Sequence, residues 1–143
     1  MLIQQVGAPQ RFLWVTEEKL PKEQQTIYIV RCPDDVENQG RYEWCIAEAD
    51  RMRVENDGAE KLERIAISTM WIAEFLIGWE RGDGSAEAVP FEADEEGRPV
   101  PELLNRIPLR CRYALANFII LGTAVSEEES ENSDSQSLSE KDS

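Results

Sequence analysis

The chain has a strand-like front and a helical back. Arg11-Phe12-Leu13-Trp14-Val15-Thr16 and Thr26-Ile27-Tyr28-Ile29-Val30-Arg31 are crowded with aromatic and β-branched residues, which pack well on a pleated surface. The turn-forming Lys19-Leu20-Pro21-Lys22 lies between them, so the two runs predict an antiparallel pair. Cys32-Pro33-Asp34-Asp35 closes the second strand, because proline removes a ladder donor and paired aspartates favour a turn. Positions 42–54 suit a helix or a third strand. Tyr42, Ile46, Ala49 and Met52 sharing one face favours the helix.

After the turn signal Asn56-Asp57-Gly58, the pattern predicts a long helix from Ala59 to Trp79. Leu62, Ile65, Ala66, Thr69, Ile72, Ala73, Leu76 and Trp79 form a stripe at spacing three and four that would face a core. Ile67, Met70, Trp71 and Phe75 fall beside it, so the apolar arc is wider than one small core requires. A loop rich in glycine and acid spans 82–97. Pro101 suits the first turn of a short helix through Leu103, Leu104 and Ile107, and Pro108 ends it and starts the next. The last helix, Leu109 to Leu121, carries Leu109, Tyr113, Ala116 and Ile120 on one face and Leu115, Phe118 and Ile119 elsewhere. The fold class expected is α+β: short N-terminal antiparallel strands, then a mainly helical domain.

Composition adds a boundary. From Ser126 to Ser143 there are seven serines and seven acidic residues against one lysine, a net charge of −6, with Leu138 the only large apolar residue. Such a segment cannot bury enough apolar surface to offset its ordering entropy. The expected organisation is one globular domain over 1–125 and a disordered acidic tail over 126–143. The whole chain of 143 residues carries 29 acidic and 15 basic residues, a formal charge of −14. That charge repels phosphate backbones and anionic membrane surfaces, so neither nucleic acid nor membrane is an expected partner. Met1-Leu2-Ile3-Gln4-Gln5 lacks the features of a secretory signal. The longest apolar stretch, Tyr113 to Val125, is too short and too interrupted to span a bilayer, which needs roughly 20 residues. A cytoplasmic location is expected.

Catalytic chemistry finds little to work with. The chain has no histidine, which removes histidine triads, general bases and metal ligands. Cys32, Cys45 and Cys111 are widely spaced without a CxxC pair, pointing to buried free thiols. Gly82-Asp83-Gly84 lacks the strand and the GK[ST] of a phosphate loop. No enzyme activity, metal or cofactor is expected. Arg106, Arg110 and Arg112 form one basic cluster that could hold an acidic partner or the protein's own tail; surface arginines screening local acids is the plainer reading. Of the tryptophans, Trp71 is the interface candidate because it lies off the main stripe, and Trp79 the core candidate, packed on Phe91, Leu103 and Leu104. The apolar surplus of the two helices places Trp71 and Phe75 with Phe118 and Ile119 in a partner-binding patch, for an apolar helical client or another copy of the chain.

Phe75-Leu76-Ile77-Gly78-Trp79-Glu80-Arg81-Gly82, followed by acids and glycine, Val89-Pro90-Phe91, Leu103-Leu104, Ile107-Pro108 and a final helix, resembles the tail assembly chaperones of long-tailed bacteriophages. The resemblance covers roughly residues 27 to 121. It implies a protein of the host cytoplasm that binds the tape-measure protein, shields its long apolar helices until tail-tube subunits polymerise around it, and has the tail-tube protein as a secondary partner. Two other readings compete. One is an acidic mimic of nucleic acid that inhibits a host DNA-binding or defence protein; the other is a structural component of the virion.

Overall fold

The computed structural model describes residues 8–33, 35–55 and 60–121, with backbone only for 60–62. The tail expected over 126–143 lies outside the described residues. β1 (Gln10–Leu13) and β2 (Thr26–Val30) form the antiparallel pair that the front of the sequence predicts, with Phe12 opposite Tyr28. A third strand, β3 (Leu76–Arg81), joins the other edge of β2 antiparallel, giving the order β1-β2-β3. The fold is α+β.

β3 lies inside the segment expected to be helical. The second helix, α2 (Glu60–Phe75), stops at Phe75 and the strand begins at the next residue. Local sequence explains the switch: Gly78 costs a helix about 1 kcal/mol, while Ile77 and Trp79 suit a pleated surface. The free edge of β2 decides it, since pairing there satisfies a row of backbone groups. Phe75 accepts from the Arg31 amide at 2.8 Å at the junction. A bulge follows, because Ile29 faces Gly78 and Val30 faces Leu76, leaving Ile77 unmatched.

The first helix, α1 (Gln39–Glu55), resolves the ambiguity at 42–54 in favour of the helix. Asp35 starts this region by accepting from the Glu37 amide at 3.2 Å and the Asn38 side chain at 3.3 Å. Cys45 and Ala49 are its buried positions, and Ile46 points outward. α3 (Pro101–Leu104) and α4 (Leu109–Leu121) fall where the prolines predict. The loop from β3 turns at Gly84, whose φ of +89° is a left-handed conformation natural to glycine. A Cβ at Gly82 would come within 2.9 Å of the Lys22 carbonyl. Close approach of two backbones requires glycine there.

One aromatic row ties sheet to helices. Phe12, Tyr28 and Trp79 lie side by side across the three strands, at centroid separations of 6.3 and 6.1 Å. Phe118 of α4 meets Phe12 at 5.1 Å, and Phe91 of the loop meets Trp79 at 5.4 Å. Behind this row, Trp71, Ile72, Phe75, Leu76, Leu104, Ile107, Leu115 and Ile119 belong to one buried cluster. No described helix is long and apolar enough to cross a membrane.

Candidate functional site

The patch expected at Trp71, Phe75, Phe118 and Ile119 is interior, not surface. Trp71 is 1% exposed, and Phe75 and Ile119 are fully buried. Trp71 stacks on Phe75 at 5.9 Å and takes the edge of Tyr42 from α1 at 5.3 Å. Phe118 is half-buried against Phe12. The apolar surplus of α2 and α4 is therefore covered within the chain, by α1 on one side and the sheet on another. The core stripe of α2 is corrected with it: Ile67, Ser68, Trp71, Ile72, Glu74 and Phe75 point inward, while Ala66 is exposed and Ile65, Thr69 and Ala73 are only partly covered. Trp79 is half-buried in β3 rather than at a helix end, and Phe91 is its neighbour as expected.

Among the described residues, exposed large apolar side chains are Trp44, Ile46 and Val54 on α1 and Val15, Leu20, Val36 and Leu121 elsewhere. Trp44 is 49% exposed and Val54 78% exposed. With the exposed Gly40, Ala47 and Arg51 they run 40, 44, 47, 51, 54 along the outer face. That alternation of four and three puts them on one face of α1, the spacing that helix-pairing seams use. Arg51 is held within the seam by Glu48 and by Glu55, the latter at 2.7 Å. Its guanidinium lowers the Glu48 carboxyl below its usual range through their hydrogen bond. Glu43 and Asp50 flank the seam as exposed acids. Sequence reasoning missed this face because it grouped Tyr42, Ile46, Ala49 and Met52 as one covered face, of which Ile46 is in fact exposed; the four-three spacing was the signal available.

The polar interior is structural. Glu74 of α2 is buried and paired with Arg98 at 2.8 Å and Arg41 at 3.2 Å, so one carboxylate ties the long loop and α1 to α2. Arg31 stands near this group with its Nε buried and without a hydrogen-bond partner. Desolvation, with repulsion from Arg41, lowers its pKa. The three cysteines are free and buried. Burial pushes the Cys45 thiol up to about 12, helped by the charge of Glu74, and the Cys111 thiol up to about 11 against a hydrogen bond with Tyr28. Thiols held so far towards the protonated form are poor nucleophiles. Among the described residues no group of three His, Cys, Asp or Glu could hold a metal ion.

The arginine cluster divides. Arg112 turns inward, donating to the Ile107 carbonyl at 3.1 Å and to Thr69 Oγ1 at 3.4 Å, and so links α4 to α2. Arg106 and Arg110 stay exposed. Arg110 borders an open groove of about 790 Å³ between the C-terminal end of α1, α2 and α4. Ile67, Trp71, Ala116 and Ile120 contribute its apolar floor, and Arg53 and Arg64 stand with Arg110 at its rim. The α4 face of Leu109, Tyr113, Ala116 and Ile120 lines this groove. Compared with protein families, with curated proteins and with solved structures, the chain finds no match in any of the three.

Proposed function

We propose that the protein is a non-enzymatic tail assembly chaperone of the long-tailed phage type, acting in the host cytoplasm, which holds an apolar helical segment of the tape-measure protein. The observation that carries the binding reading is the seam of Trp44, Ala47 and Val54 on the outer face of α1, apolar positions at helix-pairing spacing left in solvent. A client helix laid along it would bury those side chains in the way amphipathic helices engage apolar surfaces. The acids beside the seam keep the free protein soluble and disfavour pairing with acidic helices. Such a small apolar strip suits reversible binding, which a chaperone needs because its client is later released. The tape-measure identity of the client rests on the sequence resemblance.

The test is co-purification with a helical fragment of a tape-measure protein. Trp44→Ser combined with Val54→Ser is expected to abolish it while circular dichroism stays unchanged, since both side chains already face solvent. Undiminished capture by the folded double variant would refute the seam as the site. Failure of the parent protein to capture any such fragment would refute the chaperone reading itself.

A further inference from the structure

We propose that the groove between α1, α2 and α4 is the docking site of the chain's own acidic C-terminal segment. Charge is the first reason. In a chain with 29 acidic residues, the groove is lined by three arginines and one glutamate, Glu63. Arg53 is engaged by Asp50 at 3.0 Å and Glu63 at 3.8 Å. Arg64 lies over the Tyr113 ring at 4.2 Å, and neither it nor Arg110 has a carboxylate partner among the described residues. Positive charge that no described carboxylate pairs at these two positions matches an acidic occupant of the groove. Tyr113 and Asn117 add polar groups between them.

Reach is the second reason. The last described residue of α4 is Leu121, and Ile120 beside it lines the groove, so the segment that follows in sequence is tethered next to the groove. Residue 122 is glycine, the type that most readily takes the left-handed turn reversing a chain after a helix. Arg110 lies 11 residues back along α4, about 17 Å at helical rise. A strand returning from Leu121 spans about 20 Å by Glu127 and about 33 Å by Glu131. Glu127, Glu128, Glu129 and Glu131 thus come within range of both Arg110 and Arg64. Contacts of this kind are exposed and screened by salt. Docking is therefore reversible, and the segment acts as a tethered occupant that any other acidic ligand of the groove must displace.

The experiment uses the full chain with a photoreactive benzoylphenylalanine in place of Ser130, irradiated and mapped by mass spectrometry. The expected result is intrachain crosslinks concentrated on positions 64–71 and 110–120. Their yield should fall several-fold in about 1 M salt, where the screening length drops to about 3 Å. It should fall likewise on Arg64→Gln with Arg110→Gln. Glu127, Glu128, Glu129 and Glu131 all changed to Gln provides a second variant that leaves the folded core untouched, and it should also lose the crosslinks. Crosslinks scattered over the surface, crosslinks joining two copies of the chain, or groove crosslinks insensitive to both sets of substitutions would each overturn the proposal.

Discussion

The indole N–H of Trp79 donates to the backbone carbonyl of Val89 at 2.8 Å, pinning the long loop after β3 back onto the sheet. The same ring meets Tyr28 edge-on at 6.1 Å and Phe91 edge-on at 5.4 Å, so one side chain orders strand and loop together. Trp79→Phe keeps most of the ring contacts and removes the donor. It should cost about 1 kcal/mol, the net worth of a hydrogen bond. Denaturant unfolding would measure it, and amide exchange at 85–91 should rise more than in α4.

Trp71→Ala should be the more damaging tryptophan substitution. Trp71 is buried, with Tyr42 edge-on and Phe75 stacked against it, whereas Trp79 is half-buried. Deleting a buried aromatic costs about 3–5 kcal/mol, a large part of a small domain's stability. Trp79→Ala should cost less, about 2–3 kcal/mol, because part of its surface is already in water. A smaller loss at Trp71 than at Trp79, read from urea midpoints, would contradict the burial described above.

Glu74→Gln should destabilise by about 1–3 kcal/mol. The change leaves Arg41 and Arg98 facing a neutral amide at a buried position, and breaking one partner of a buried pair costs up to about 5 kcal/mol. Both arginines are about one-third exposed, and water screening reduces the loss. Since the Arg98 pKa is raised chiefly by its hydrogen bond to Glu74, the variant should also loosen the 92–100 loop, detectable as faster amide exchange there.

The buried Cys45 and Cys111 thiols, together with the Tyr28 phenol that burial also raises, weaken the fold in alkali. Burial raises Cys45 from 9.0 to about 12 and Cys111 from 9.0 to about 11. In the unfolded chain these thiols ionise near the ordinary value, so their contribution to stability is complete below about pH 9. It is lost as pH rises through the folded values. The urea midpoint should hold steady at neutral pH and decline above about pH 9, and Cys45→Ala should make that decline shallower. Ellman's reagent at neutral pH should leave the folded protein unlabelled and react with all three thiols in guanidinium chloride.

Local pattern was enough for much of the fold. β1 and β2 follow from the aromatic and β-branched runs, α3 from Pro101, and α4 from Pro108 and the apolar spacing up to Leu121, because these signals act on the backbone within a few residues. Three matters were decided only by the tertiary structure. Residues 76–81 left the helix because β2 offered a free edge, a partner some fifty positions away in sequence. α2 buried the side bearing Trp71 and Phe75 because α1 and the sheet close over it. A helical sequence shows how wide its apolar arc is, yet burial depends on how many neighbours cover that arc. Trp44 and Val54 were left in solvent for the converse reason: α1 has a single covered side, built on Cys45 and Ala49, and no other part of the described chain reaches round it.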